Sequence, residues 1–306
     1  MATIGQRVVP YESPYAMQHT DFGTGLASWQ RYFSQGGREV LHFAPANGLP
    51  AATYHYFIEQ LLPHYSVTTL DNRGAWSNAG KPHDDVNWRN HVSDFLTFAE
   101  HNYDQPIHYV GHSLGATIGL MAAIQKPNMF KSLVMIDPGT VPRIGGAIYM
   151  KLAPNWLKDQ LPLIKSTQGR RDVWADRESF MSYIVKRSTY RGFTRRALYD
   201  YAQGGLEEST EGLKLRFSPL WEAHNFKTTA YVWPYLKSVK VPTLLLRGEH
   251  STIFTQQRYD QLVNRFNNRV ASVLQVQQLN GLGHLAPQEG PEQTAEAIRH
   301  WLQVPR

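Results

Sequence analysis

The chain has 306 residues, 42% of them hydrophobic and 18% charged, enough apolar material for a sizeable core in one domain with an insertion or in two domains. It contains no cysteine, which excludes disulfides, thiolate metal sites and cysteine nucleophiles. The formal charge of +6 has one source: residues 141–235 hold 15 Lys/Arg against 9 Asp/Glu, and the rest of the chain holds 16 of each.

Within that stretch the arginines of Arg170-Arg171-Asp172 and of Arg191 to Arg196 are interspersed with acids and aromatics, so no basic block of the nucleic-acid type is present. A solvated face is the ordinary reading of such charge; a site for anionic substrates or lipid headgroups is the other. Met1 to Arg7 carries no apolar leader pattern, and no run reaches the length of a membrane span. The expectation is a cytoplasmic protein without integral membrane association.

The first forty residues have weak β signals and no motif. Glu39 to Phe43 reads as a short buried strand running into the loop Ala44-Pro45-Ala46-Asn47-Gly48-Leu49-Pro50, and Ala51 to Leu62 shows helical spacing stopped by Pro63. Ser66 to Leu70 is the next strand, Asn87 to His101 an amphipathic helix, and Ile107 to Val110 a strand again. That strand turns through Gly111-His112-Ser113-Leu114-Gly115 into the helical pattern of Ala116 to Ala123. Lys131 to Pro138 supplies another apolar strand. Alternation of short apolar strands with helices predicts an α/β fold, a mostly parallel sheet flanked by helices.

The regularity stops at Gly139. Residues 141–235 show helical patterns without β runs, interrupted by Pro142, Pro154, Pro162 and Pro219 and rich in Trp and Tyr. They read as an all-helical insertion into a core formed by 1–140 and 236–306. Strand-helix order resumes with Val241 to Arg247, a helix near Thr255 to Phe266, a strand over 271–279 and a terminal helix from Pro291 to Leu302.

The chemistry centres on Ser113. Glycines two residues to either side suit a strained turn that lifts Oγ from the sheet edge and points the first N–H groups of a helix at the atom it attacks. A serine hydroxyl needs a base, and among 13 histidines only His284, in Gly283-His284, follows the last strand on a glycine-bearing loop. The oxyanion donors expected are the N–H groups of Leu114, next to the serine, and of Leu49, in the loop after the strand at 39–43.

Asp71-x-Arg73-Gly74 with Ser77, Gly111 to Gly115, Leu133 to Pro138, Pro242 to Gly248 and Gly283-His284 stand in an order and at separations that resemble the α/β-hydrolase fold superfamily. The loop Ala44 to Pro50 is similar to that of a lipase-like and esterase-like branch, with Pro45 where that branch has histidine. Arg170 to Trp174 and Leu198 to Leu206 resemble the same branch's helical cap. The resemblance implies Ser113 as nucleophile, His284 as general base and a cap closing over the pocket. Serine at the elbow argues against the dehalogenases and epoxide hydrolases of the superfamily, which place aspartate there.

The third triad member is open at this level. Most of the superfamily supplies aspartate from the loop after the seventh strand, where this chain has Ser251 and Thr252, with Glu249 as the nearby carboxylate. Other members carry the acid at the end of the sixth strand, where Asp137 lies 24 residues beyond Ser113. Asp137 is the leading candidate, Glu249 and the absence of an acid the alternatives.

The function expected is a serine hydrolase acting through an acyl-enzyme on a small carboxylic ester or thioester with an apolar moiety, needing no metal or organic cofactor. Hydrolysis or elimination at a carbon–carbon bond and a degenerate ligand-binding protein are the alternatives. Aromatic residues of the insertion, among them Trp156, Trp174, Phe180 and Trp221, could line an apolar pocket or simply pack the insertion.

Overall fold

An eight-stranded sheet forms the centre of the computed structural model, which describes residues 15–22, 26–32, 38–141, 143–267 and 273–303. Met1 to Arg7, Pro142 and the first two residues of the strand expected over 271–279 lie outside the described residues. The strands are β1 (Tyr15–Asp21), β2 (Leu26–Tyr32), β3 (Val40–Ala44), β4 (Ser66–Leu70), β5 (Ile107–His112) and β6 (Phe130–Ile136). After them come three short strands outside the main sheet, β7 (Val173–Trp174), β8 (Leu206–Ser209) and β9 (Gly212–Leu215), then β10 (Thr243–Gly248) and β11 (Leu274–Leu279).

The order across the sheet is β1-β2-β4-β3-β5-β6-β10-β11. From β4 to β11 all neighbours pair in parallel, and β1 and β2 add an antiparallel edge. Every residue of β5 and of β10 is buried, as suits central strands covered on both faces. Successive residues still serve opposite faces. Val134 and Ile136 of β6 join the cluster of Phe43, Phe57, Leu244 and Trp301, whereas Leu133 and Met135 join that of Phe95, Tyr109, Leu245 and Leu274.

Two expectations need correction. The helix expected over Ala51 to Leu62 is a 3₁₀ turn, Ala51–Tyr54, followed by a short α-helix, His55–Glu59. Pro50 precedes that turn, and Thr53 donates both its N–H and its hydroxyl back to the Pro50 carbonyl, tightening the start. The segment between β6 and β10 is mostly helical but not all-helical, since β7, β9 and β8 make a three-stranded sheet. In β9 Leu213 and Leu215 are buried while Lys214 between them is exposed, a period-two pattern too short to register in the sequence.

The motif Asp71 to Ser77 proves to be a brace. The Asp71 carboxylate accepts the Ala51 N–H at 2.7 Å and the Ser28 hydroxyl at 2.9 Å, and Arg73 makes a two-pronged pair with buried Asp94 at 2.6 and 2.7 Å. Removing one partner would strand the other in the interior, a loss of about 3–5 kcal/mol. The brace fixes the chain just beyond the loop that carries Leu49.

Candidate active site

β5 ends at His112, and the helix Leu114–Gln125 begins one residue after Ser113. Ser113 therefore holds both the turn and the position before the first helical residue. Its backbone sits at φ 52°, ψ −112°, in the left-handed φ range that costs a non-glycine residue about 1–3 kcal/mol. The Ser113 N–H donates to the Ile136 carbonyl at 2.9 Å, tying the turn to β6. A Cβ on Gly111 would lie 2.5 Å from the backbone of Gly115, and one on Gly115 would lie 2.3 Å from the Ala44 carbonyl oxygen. Only bare backbone fits between elbow and loop.

His284 follows β11. Its Nε2 lies 3.1 Å from Ser113 Oγ and its Nδ1 lies 2.8 Å from Asp137 Oδ1. Asp137 directly follows β6, at φ 41°, and its N–H donates to the Leu246 carbonyl at 2.8 Å. The carboxylate is fully buried and takes two further donors, the Gly248 N–H on Oδ2 at 2.8 Å and the Ser251 hydroxyl on Oδ1 at 2.6 Å. Ser251 in turn accepts the N–H groups of Ile253 and Phe254 at 3.2 and 3.1 Å, which aims its hydroxyl proton at Asp137. Glu249 is elsewhere: it is exposed and accepts the Gly281 N–H at 2.6 Å.

Three features of this neighbourhood were not anticipated. Glu289 grips the His284 loop from below, accepting the N–H groups of Gly283 and Leu285 on the two sides of the imidazole. Gly139 lies against the elbow: a Cβ there would come within 3.1 Å of Leu114 N and 3.2 Å of Ser113 Oγ. The Gly139 carbonyl is held by the Thr117 hydroxyl at 2.7 Å. His112, the residue before Ser113, is fully buried and links three loops. A carbonyl can only accept, so His112 Nε2 donates to the His284 carbonyl at 2.8 Å. That tautomer leaves Nδ1 to accept the Tyr54 hydroxyl at 2.8 Å, and the Tyr54 oxygen accepts the Ala46 N–H at 3.1 Å. Burial, reinforced by the neighbouring His284, holds the imidazole of His112 down from 6.5 to about 3, so it stays neutral.

The two N–H groups expected to face an oxyanion lie in the loop after β3 and at the helix start. Leu114 is the first residue of its helix, so its N–H has no intrahelical acceptor. Leu49 is buried, and its N–H reaches the Ala46 carbonyl only at 3.5 Å, the limit of hydrogen-bond range. Gly48 turns at φ +80° against the carboxyl group of Glu222, which a Cβ would approach to 2.6 Å. Asn47 donates to the Glu222 carbonyl and accepts from Asn225 Nδ2, both at 2.9 Å. Glu222 itself pairs with Arg170 at 2.5 Å; burial pushes its carboxyl group above the ordinary range while Arg170 pulls the other way.

The anticipated aromatics divide. Trp174, Phe180 and Trp221 are fully packed into clusters, so they build the inserted segment, while Trp156 is 69% exposed. Among the described residues no group of three or more His, Asp or Glu is arranged to hold a metal ion. No helix among them is long and apolar enough to cross a membrane.

Sequence comparison finds a type I acyl-CoA thioesterase of Penicillium brevicompactum, 28% identical over 168 residues, covering 49% of this chain and 36% of that protein. It also finds the N-formylmaleamate deformylase of Pseudomonas putida, 30% identical over 110 residues, covering 36% of this chain and 41% of that protein. The chain thus aligns with well under half the length of these relatives. Structure comparison matches the crystal structure of E-2-(acetamidomethylene)succinate hydrolase with a TM-score of 0.76 at 18% identity, over 95% of this chain and all of the other. A thioesterase domain from the curacin biosynthetic pathway superposes with a TM-score of 0.72 at 16% identity, over 94% of this chain and all of the other. The sequence also matches the alpha/beta hydrolase fold family over residues 45–291, most of the sheet and the whole inserted segment, and the chain belongs to that family.

Proposed function

We propose that the protein is a serine hydrolase that cleaves a small carboxylic ester or thioester with an apolar moiety. The observation that carries the reading is the unbroken contact from Ser113 Oγ to His284 Nε2 at 3.1 Å and from His284 Nδ1 to Asp137 at 2.8 Å. In the proposed reaction Ser113 Oγ attacks the carbonyl carbon as its proton passes to His284 Nε2. The oxyanion is received by the N–H groups of Leu114 and Leu49. Collapse expels the leaving group, which takes the proton from His284, and leaves an acyl-serine. Water then attacks the acyl carbon, gives its proton to His284 and releases the acid as Ser113 is reprotonated.

Asp137 serves as the acid in this reading. It fixes the Nδ1–H tautomer and stabilises the imidazolium. A degenerate binding protein would have no need of a buried carboxylate with three donors aimed at it. A thioester is included because one relative is named an acyl-CoA thioesterase. Residues 141–235 are proposed as the cap, anchored through Asn47 and Gly48 to the oxyanion loop.

The test is labelling of the full chain with a fluorophosphonate probe beside turnover of p-nitrophenyl esters and acyl-CoA thioesters of increasing chain length. Labelling that Ser113→Ala abolishes, with hydrolysis of one of the two series, is the expected result. An unlabelled protein, or turnover that survives Ser113→Ala, overturns the assignment.

A further inference from the structure

The helix Ile144–Leu152 reads Ile-Gly-Gly-Ala-Ile-Tyr-Met-Lys-Leu and none of its residues is buried. Nine large hydrophobic side chains are exposed among the described residues, and five of them fall between 144 and 163: Ile144 (64%), Ile148 (53%), Leu152 (73%), Trp156 (69%) and Leu163 (57%). Exposed apolar residues scattered singly need no explanation, but this is a concentration. Ile144, Ile148 and Leu152 recur every four residues, which puts them on one face of the helix. A nine-residue helix has too little intrinsic stability to stand on propensity, and one that turns its apolar face to water lacks the burial that ordinarily supports it.

The charge around that face selects what covers it. Lys151 is seven residues after Ile144 and returns to the same stripe, and exposed Arg143 sits just before the helix. Lys165, also exposed, lies on the helix Pro162–Gln168. Between 141 and 171 the sequence has a single acid, Asp159, and it is paired with Lys227 at 3.0 Å. The face is apolar and cationic, and the one carboxylate of its own segment is already paired. A second copy meeting it about a two-fold axis would set Lys151 and Arg143 against like charges. A layer with an apolar interior and anionic headgroups matches both properties.

We propose that this face docks the protein on an anionic phospholipid surface. The helix lies in the plane of the interface with Ile144, Ile148, Leu152 and Trp156 among the upper acyl segments, and Lys151 and Arg143 reach the headgroup phosphates. A short apolar stripe alone gives weak, reversible attachment, so the cations are the second signal that makes docking composition-dependent. None of these residues is among those that contact Ser113, His284 or Asp137 above, and the test does not depend on the hydrolase reading.

The test is co-sedimentation of the full chain with vesicles of phosphatidylcholine alone and of phosphatidylcholine mixed with phosphatidylserine, with sedimentation velocity of the protein by itself. The expected result is binding to mixed vesicles at least about tenfold tighter than to the neutral ones, given roughly a few-fold per surface cation. Lys151→Glu should erase most of that preference, and Ile148→Asp with Leu152→Asp should remove binding to both, with the circular dichroism spectrum unchanged. Absence of binding to mixed vesicles overturns the proposal, as does equal binding by the aspartate variant. A dimer of the unaltered chain that the aspartate pair dissolves also overturns it, and assigns the face to a second copy.

Discussion

The loops that follow β6 and β10 lie side by side at the same sheet edge, and each carries a carboxylate. Asp137, in the first, is fully buried, strained at φ 41°, and meets His284, Gly248 and Ser251. Glu249, in the second, is exposed and bonds only a loop N–H at Gly281 in the contacts described above. The second loop and the end of β10 supply donors, the Ser251 hydroxyl and the Gly248 N–H, to the carboxylate of the first loop. What makes a carboxylate a candidate partner for histidine here is the set of groups that hold it, and the strain and burial of Asp137 are sustained by those groups.

The largest test of that contrast is Asp137→Asn. In the proposed mechanism kcat should fall by roughly 10³–10⁴, the scale of loss when a triad aspartate is converted to amide, with the melting temperature measured alongside to separate chemistry from unfolding. Ser251→Ala comes next. It withdraws one hydrogen bond from a buried charge, and a drop in kcat of about 10–100-fold with KM little altered is expected, together with a displaced pH–rate profile. A displaced profile is what distinguishes a positioning hydroxyl from one that merely packs.

A subtler test concerns the histidine that ties the His284 loop to the elbow. Burial holds His112 and His42 near 3 in the folded chain, whereas both take up protons below 6.5 once unfolded. Their contribution to stability is therefore complete above pH 6.5 and is lost progressively as pH falls toward 3. Urea midpoints should decline through that window, and His112→Gln should flatten the decline. Smallest of all is Glu249→Gln, for which ester turnover should stay within about twofold of the unaltered chain. A loss comparable to that of Asp137→Asn would reverse the assignment of the two loops.

The parallel strands were legible as short stretches rich in Val, Ile, Leu and Thr between helical patterns, and Ser66 to Leu70 matches β4 residue for residue. β1 and β2 were not. They form the antiparallel margin, where polar residues interrupt the apolar pattern: Gln18 is half-buried and Gln30 fully buried, while His19 and Arg31 are exposed. Ser113 and His284 stood out through glycine spacing and position after a strand, and Asp137 through its distance along the chain. Glu289, Gly139 and the hydroxyl of Ser251 did not, because their contacts arise only when separate loops converge. A glutamate five residues after His284 was the faint signal available for Glu289.

The helix Pro219–Lys227 is fastened to the Asn47-Gly48 turn by two hydrogen bonds and by the carboxyl group of Glu222 seated on a bare Cα. A doorway hinged on that helix would dismantle the turn each time it swung open. Any opening of residues 141–235 that leaves the turn whole must therefore keep this helix in place and move other parts of the segment.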